Sequence, residues 1–233
     1  MSTLSYETRK NELETYFDRT AVEAWVRLTS TAPVGRIRAT VRAGRDEMRE
    51  RLLSWLPADL RGRRLLDAGC GTGALSVEAA RRGADVLAID LSSTLVELGR
   101  ERTVRVGEGR IEFRVGDMLD PELGRFDHVV AMDSMIHYAA PDMVRMLSTL
   151  ASRVDGSILF TFAPWTMPLA VMHAVGRLFP RSDRAPAIEP IREEALVRRI
   201  EGDSGLEGWR PGRSARTARG FYISHAMELA PKR

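Results

Sequence analysis

Apolar positions spaced three and four apart predict helices over residues 7–17, 20–29 and 43–56, with Pro33 and Gly35 separating the second from the third. From residue 63 the period changes. Short apolar runs, RRLLD (63–67), ADVLAID (84–90), IEFRVG (111–116), FDHVVAM (126–132) and SILFTF (157–162), alternate with helical spacing over 74–82, 94–103 and 141–152. That alternation predicts a parallel sheet covered on both faces, with a ligand at the carboxyl ends of its strands. After Phe162 a stretch rich in Pro, Met and aromatic residues is too long for a plain connection. A helix over 192–201 follows, and 208–216 and 220–230 read as an antiparallel pair at the sheet edge. The chain thus divides into a helical arm (1–56), a core (57–162), an insertion (163–205) and edge strands (206–233). Residues 1–45, with few contacts to the sheet, are expected to form a lid.

Composition narrows the picture only at points. With 233 residues, 44% of them hydrophobic, the chain suffices for one domain with an appendage. Basic residues number 35 against 32 acidic, and Lys10 and Lys232 are the only lysines. The arginines are interleaved with acids, unlike a nucleic-acid arm. A GC-rich genome and a need for bidentate grips on carboxylates both fit them. One cysteine, Cys70, excludes an internal disulfide and fits a reducing compartment. The charged N-terminus lacks a signal-peptide pattern, so the expected location is cytoplasmic, and the apolar run at 157–175 is broken by Pro164 and Pro168.

The candidate chemistry begins where the first strand runs into Asp67-Ala68-Gly69-Cys70-Gly71-Thr72-Gly73. The glycines let a ligand lie against main-chain N–H groups. A nicotinamide loop would read G-x-G-x-x-G; here the third glycine comes one residue early, and the Asp67 carboxylate would repel a pyrophosphate while suiting an ammonium group. The loop resembles motif I of the class I S-adenosylmethionine-dependent methyltransferases. Asp90, at the end of the second strand, has the spacing of an acid that reaches ribose hydroxyls, with Leu91 beside it for the adenine. By the same resemblance, Asp117 of Gly116-Asp117-Met118 takes the adenine amino group, Met118 adds backbone contacts, and Met132, near the end of the segment 126–133 that resembles motif IV, borders the methyl donor. Cys70 reads as a packing residue, because no base accompanies it. No His, Cys or Asp cluster has metal-ligand spacing, so no protein-bound metal is expected.

Outside these motifs, Tyr16-Phe17-Asp18-Arg19, Trp25 and Arg36-Ile37-Arg38-Ala39-Thr40-Val41-Arg42-Ala43-Gly44-Arg45 are similar to the N-terminal arm of the magnesium-protoporphyrin IX methyltransferases. With Met132-Asp133-Ser134-Met135-Ile136-His137-Tyr138 and Phe162-Ala163-Pro164, the resemblance covers nearly the whole chain. It implies an α/β, Rossmann-like class I methyltransferase fold: a mostly parallel seven-stranded sheet with an antiparallel edge hairpin, a helical N-terminal arm and an apolar insertion after the fifth strand. It implies methyl transfer from S-adenosylmethionine to a propionate of magnesium protoporphyrin IX, with S-adenosylhomocysteine as by-product and magnesium present only within the substrate. Tyr16 and His137 take the catalytic positions. His137 either hydrogen-bonds the carboxylate or approaches the substrate magnesium.

Arg36, Arg38, Arg42 and Arg45 offer a rim for carboxylates. Tyr16, Phe17, Trp25, Trp165, Met167, Leu169, Met172 and Phe179 offer apolar walls. An arginine-rich solvated helix face is the competing reading of the cluster. His128, His173 and His225 read as structural. Implied partners are the substrate porphyrin, the large porphyrin-binding subunit of magnesium chelatase and, peripherally, the photosynthetic membrane. Nucleic acid is disfavoured, because Asp133-Ser134-Met135-Ile136 stands where an N/D-P-P-Y/F tetrapeptide would. Two alternatives stay open: a methyltransferase of another small molecule such as a quinone precursor, and a carrier that binds without turnover.

Overall fold

The computed structural model describes residues 3–20, 35–103, 107–165 and 188–232. Its frame is one seven-stranded sheet in the order β3-β2-β1-β4-β5-β7-β6. Strands β1 (Arg64–Ala68), β2 (Asp85–Asp90), β3 (Arg110–Val115), β4 (Phe126–Ala131) and β5 (Val154–Phe162) are parallel. β7 (Tyr222–Pro231) joins β5 antiparallel, and β6 (Trp209–Arg219) joins β7. The expected mixed sheet with an antiparallel edge is therefore present.

The apolar runs are continuous because both faces of the sheet are covered. Leu66, Val129, Phe160 and Met227 pack in one layer with Met143 and Leu147 of α5 (Ala140–Ala151) and Leu196 of α6 (Glu193–Glu201). Their neighbours Leu65, Val130, Leu159 and Ala226 pack in the other with Met48 and Leu52 of α2 (Arg36–Trp55) and Ala79 of α3 (Ala74–Arg81). Val96 of α4 (Ser93–Arg102) covers Phe113 and Ala88. In the arm, α1 (Thr3–Thr15) buries Leu13 and stacks Tyr6 on Tyr138 at 5.4 Å between ring centroids. A π-helical turn, Tyr16–Thr20, follows it.

Several boundaries move from the sequence reading. α2 starts at Arg36 instead of 43: Ile37 and Val41 extend the helical spacing of Met48 and Leu52 backwards, but arginines interrupt it and residues 36–40 are exposed. β5 starts at Val154, ahead of Asp155 and Gly156, which resemble a turn and lie where the register with β4 shifts between the Phe126–Val154 and His128–Ser157 pairs. The helix expected over 20–29, with Trp25, lies outside the described residues apart from Thr20, which belongs to the π-helical turn. Pro33 and the insertion's Met167, Leu169, Met172, His173 and Phe179 also lie outside them.

Helix α2 seats closely on the hairpin of β6 and β7. A Cβ on Gly44 would stand 2.5 Å from Tyr222 Cδ1 and 2.8 Å from its Cβ. Gly44→Ala is therefore expected to cost about 1–3 kcal/mol through overpacking, seen as a lower melting temperature by circular dichroism. An unchanged melting temperature would mean that α2 does not rest on β7. The two outer strands share a trait: β3 carries Arg110 and Arg114, and β6 carries Arg210, Pro211, Arg213, Arg216 and Arg219.

Candidate functional site

The strand order reverses between β1 and β4, which opens a crevice at their carboxyl ends. A cavity of about 540 Å³ fills it. Its floor is the loop after β1. Gly69 there has φ 81°, and a Cβ would stand 2.3 Å from Ser134 Cβ, so the loops after β1 and β4 touch only because this residue is glycine. Gly73 caps α3 with φ 78°, and its missing Cβ makes room for Phe113 at 2.6 Å. Its task is packing, and it does not line the cavity.

Asp67 and Asp90 form the acidic part. Asp67 is buried and accepts a hydrogen bond from Ser76 Oγ at 2.6 Å. Burial pushes its carboxyl up to about 7; the Ser76 bond opposes the rise and the Asp90 charge adds to it. Asp90 accepts from the Gly71 N–H at 2.8 Å and the Ser92 N–H at 3.0 Å, which fastens the loops after β1 and β2 to each other. Burial raises its carboxyl too, against those two N–H groups. The Cys70 thiol is pushed well up by burial and then by Asp90 and Asp67, so it is a poor nucleophile.

The cavity lining also has a basic part. α2 lines the cavity with Arg42, Arg45, Asp46 and Arg49 on one helical face. Arg49 pairs with Asp46 at 2.8 Å, and Arg45 with Asp133 at 2.9 Å. The loop after β4 contributes Met132, Asp133, Ser134, His137 and Tyr138, and the arm contributes Leu13 and Phe17. The Phe17 ring meets His137 edge-on at 6.2 Å between centroids.

The structure brings together Asp67, Gly69, Cys70, Gly71, Asp90, Leu91, Met118, Met132, Arg42 and His137 around one cavity. It places the other expected residues elsewhere. The Asp117 carboxylate faces the arm, accepting from Tyr6 Oη at 2.6 Å, Lys10 Nζ at 3.2 Å and the Leu119 N–H at 2.9 Å. Tyr16 is half-buried with Phe17 packed edge-on to it, and Phe17 is the one that lines the cavity. Arg36 and Arg38 are exposed in the first turns of α2. Trp165 is 40% exposed, with the Arg192 guanidinium 4.2 Å above its ring. His128 and His225 bond to Ser157 and Ser214, and burial lowers both rings below the usual histidine value. Asp133, Ser134, Asp46 and Arg49 were not read as site residues. Helical spacing from Arg42 points to Arg49, whereas the segment that carries Asp133 resembles a family motif but gives no sign of its partners.

This polarity fits S-adenosylmethionine. A buried carboxylate whose partner is a hydroxyl suits a cationic sulfonium and ammonium. Ser134 Oγ, buried at the Gly69 contact with no hydrogen-bond partner among the described residues, suits a polar ligand atom. Among the described residues no group of three or more His, Cys, Asp or Glu is placed to hold a metal ion.

A parallel sheet with a reversed hairpin edge, a glycine loop after β1 and an acid ending β2 define a class I S-adenosylmethionine-dependent methyltransferase. Residues 65–155 match the methyltransferase domain family, and 131–231 match the family described as magnesium-protoporphyrin IX methyltransferase C-terminus. The magnesium-protoporphyrin O-methyltransferase of Rhodobacter capsulatus is 49% identical over 227 residues, 97% of this chain and 98% of that protein. The Synechocystis protein of the same name is 32% identical over 94% of this chain and 95% of its own length. A crystal structure of magnesium protoporphyrin IX methyltransferase from Synechocystis with bound S-adenosylhomocysteine superposes with a TM-score of 0.82 at 28% identity, covering 96% of this chain and 100% of that one. The chain belongs to the magnesium-protoporphyrin IX methyltransferase family.

Proposed function

We propose that the protein transfers a methyl group from S-adenosylmethionine to a propionate of magnesium protoporphyrin IX, giving the monomethyl ester and S-adenosylhomocysteine, in bacteriochlorophyll synthesis. The carrying observation is the two-signed lining of one cavity: a buried carboxylate for a sulfonium ligand, and arginines of α2 for a carboxylate-bearing acceptor. The cofactor supplies an electrophilic methyl on positively charged sulfur. Asp67 attracts its cationic amino-acid end, Asp90 takes the ribose hydroxyls, and Leu91, Met118 and Met132 flank the adenine and the methyl. Gly69, Cys70 and Gly71 keep the floor thin.

Arg42 holds the acceptor. A propionate, like a glutamate side chain, is ionised at neutral pH, so its oxygen attacks the methyl carbon directly, the carbon–sulfur bond breaks and its electron pair returns to sulfur. No base is needed. His137 and the arm, with Tyr16 and Phe17, then have to align the carboxylate and keep water off it. Arg36, Arg38 and Trp165, on the outer surface, act in the approach of the porphyrin. Hand-over from the large subunit of magnesium chelatase and peripheral contact with the membrane belong to the same reading; among the described residues no helix is long and apolar enough to cross a membrane.

Incubation with S-adenosylmethionine and magnesium protoporphyrin, with the product identified by mass, tests the assignment. A monomethyl ester is expected. Methylation of a hydroxylated quinone precursor in place of the porphyrin would overturn it in favour of the other small-molecule reading. For the cofactor residues, Asp90→Ala is expected to weaken S-adenosylmethionine binding by about 1–3 kcal/mol, because it strips a partner from buried polar groups. Calorimetry reads this directly, and unchanged affinity would detach Asp90 from the ribose.

A further inference from the structure

Asp133 is the one non-glycine residue with positive φ, 55°, among those described. Such strain persists where the surroundings over-determine it, and here they do. The Asp133 N–H donates to Thr161 Oγ1 at 2.7 Å. Its carboxylate, with a side chain 6% exposed, accepts from Arg45 Nη1 at 2.9 Å, Tyr222 Oη at 3.0 and 3.1 Å, Ser224 Oγ at 3.2 Å and Thr161 Oγ1 at 3.3 Å. One buried carboxylate thereby joins α2, β5 and β7 at the end of β4.

A purely architectural ion pair would lie away from the ligand space. Asp133, its neighbour Ser134 and Arg45 all line the cavity, and Arg42 lines it less than one turn before Arg45. Three hydroxyls share the Asp133 charge, so it competes less strongly for the guanidinium than a bare carboxylate would. Arg45 is then fixed in place yet still attracts a second anion, and a planar guanidinium is suited to hold one in bidentate fashion.

We propose that Asp133 is a positioning residue that holds the Arg45 guanidinium in the cavity wall as the grip for a ligand carboxylate. That carboxylate has two sources, the amino-acid end of the cofactor and a propionate of the acceptor; the second rests on the acceptor assigned above.

Two variants test it. Asp133→Asn keeps the volume and the tolerance of left-handed backbone, while Arg45→Met keeps the apolar stem. Calorimetry gives their affinity for S-adenosylhomocysteine, and fluorescence quenching gives that for magnesium protoporphyrin and for its dimethyl ester. Each variant is expected to weaken one ligand about ten- to a hundredfold, as for loss of a charge-assisted hydrogen bond, and the double variant to be no weaker than Arg45→Met alone. Loss confined to S-adenosylhomocysteine puts the cofactor's carboxylate on Arg45. Loss for the diacid but not the diester puts the propionate there. Unaltered affinity for both ligands in Asp133→Asn, or effects that simply add in the double variant, would overturn the proposal.

If wild type binds S-adenosylhomocysteine and no porphyrin, the acceptor assignment fails while the cofactor arm still decides the role of Asp133. Should Asp133→Asn melt early, Arg45→Met and Arg45→Lys decide with Asp133 intact: a loss for the first and partial recovery for the second is required.

Discussion

Replacing Asp67 by asparagine is expected to abolish S-adenosylmethionine binding and, at the same time, to stabilise the cofactor-free protein. Asparagine keeps an oxygen for the Ser76 hydroxyl and removes the charge. The sign follows from the raised carboxyl, about 7 when folded against an ordinary 3.8. Below 3.8 both states hold the proton and no penalty exists. Between 3.8 and about 7 the unfolded chain has released the proton that the folded one keeps, so stability falls as pH rises. Above about 7 the penalty is complete, on the order of 4 kcal/mol at 1.36 kcal/mol per unit. Asp67→Asn should thus melt several degrees above wild type at about pH 8, with the gap closing towards about pH 4. A cationic ligand needs the ionised form, so wild-type affinity should drop up to about tenfold per unit below pH 7. A variant that melts lower than wild type at alkaline pH, or that still binds the cofactor, would refute this role of Asp67.

The second large effect belongs to His137. It is 8% exposed in a short 3₁₀ turn, Met135–His137, outside the glycine loop, and it lines the cavity next to Phe17 of the arm. His137→Ala is expected to slow single-turnover methyl transfer by about a hundredfold, the scale of a lost alignment, and to leave S-adenosylhomocysteine affinity unchanged. A parallel fall in cofactor affinity would move His137 to the cofactor's side of the site. Tyr16→Phe divides the arm's contribution: a slower transfer with intact cofactor binding gives the hydroxyl a part in aligning the acceptor, while a wild-type rate leaves that part to Phe17.

The sheet was legible because every strand buried on both faces reads as an apolar run bounded by glycine, aspartate or arginine, as in RRLLD and ADVLAID. The cofactor loops were legible for a related reason: Asp67, Gly71 and Asp90 act within their own loop or the next one, so spacing along the chain reports spacing in space, although the Ser134 contact that needs Gly69 does not show in it. Asp117 shows where that ends. Its carboxylate meets Tyr6 and Lys10, over a hundred positions away, and local sequence carries no trace of that contact. Tyr16 and Phe17 differ by one residue, and the wider π-helical turn sets which of them faces the cavity. The contacts of Asp133 were illegible for a third reason, since its donors come from three separate elements and its left-handed backbone is imposed by them.

The arginines of the two outer strands have a bearing on colloidal behaviour. An open sheet ends in rows of unpaired N–H and C=O groups that invite a second sheet to add on, and long apolar borders promote fibres. β3 and β6 meet that hazard with guanidinium groups along both borders, and Pro211 removes one donor from β6. Arg110 and Arg114 pair with Asp85 and Glu112, and Arg213 and Arg219 with Glu228 and Glu47, so an incoming strand would have to strip water from ionised pairs along either border.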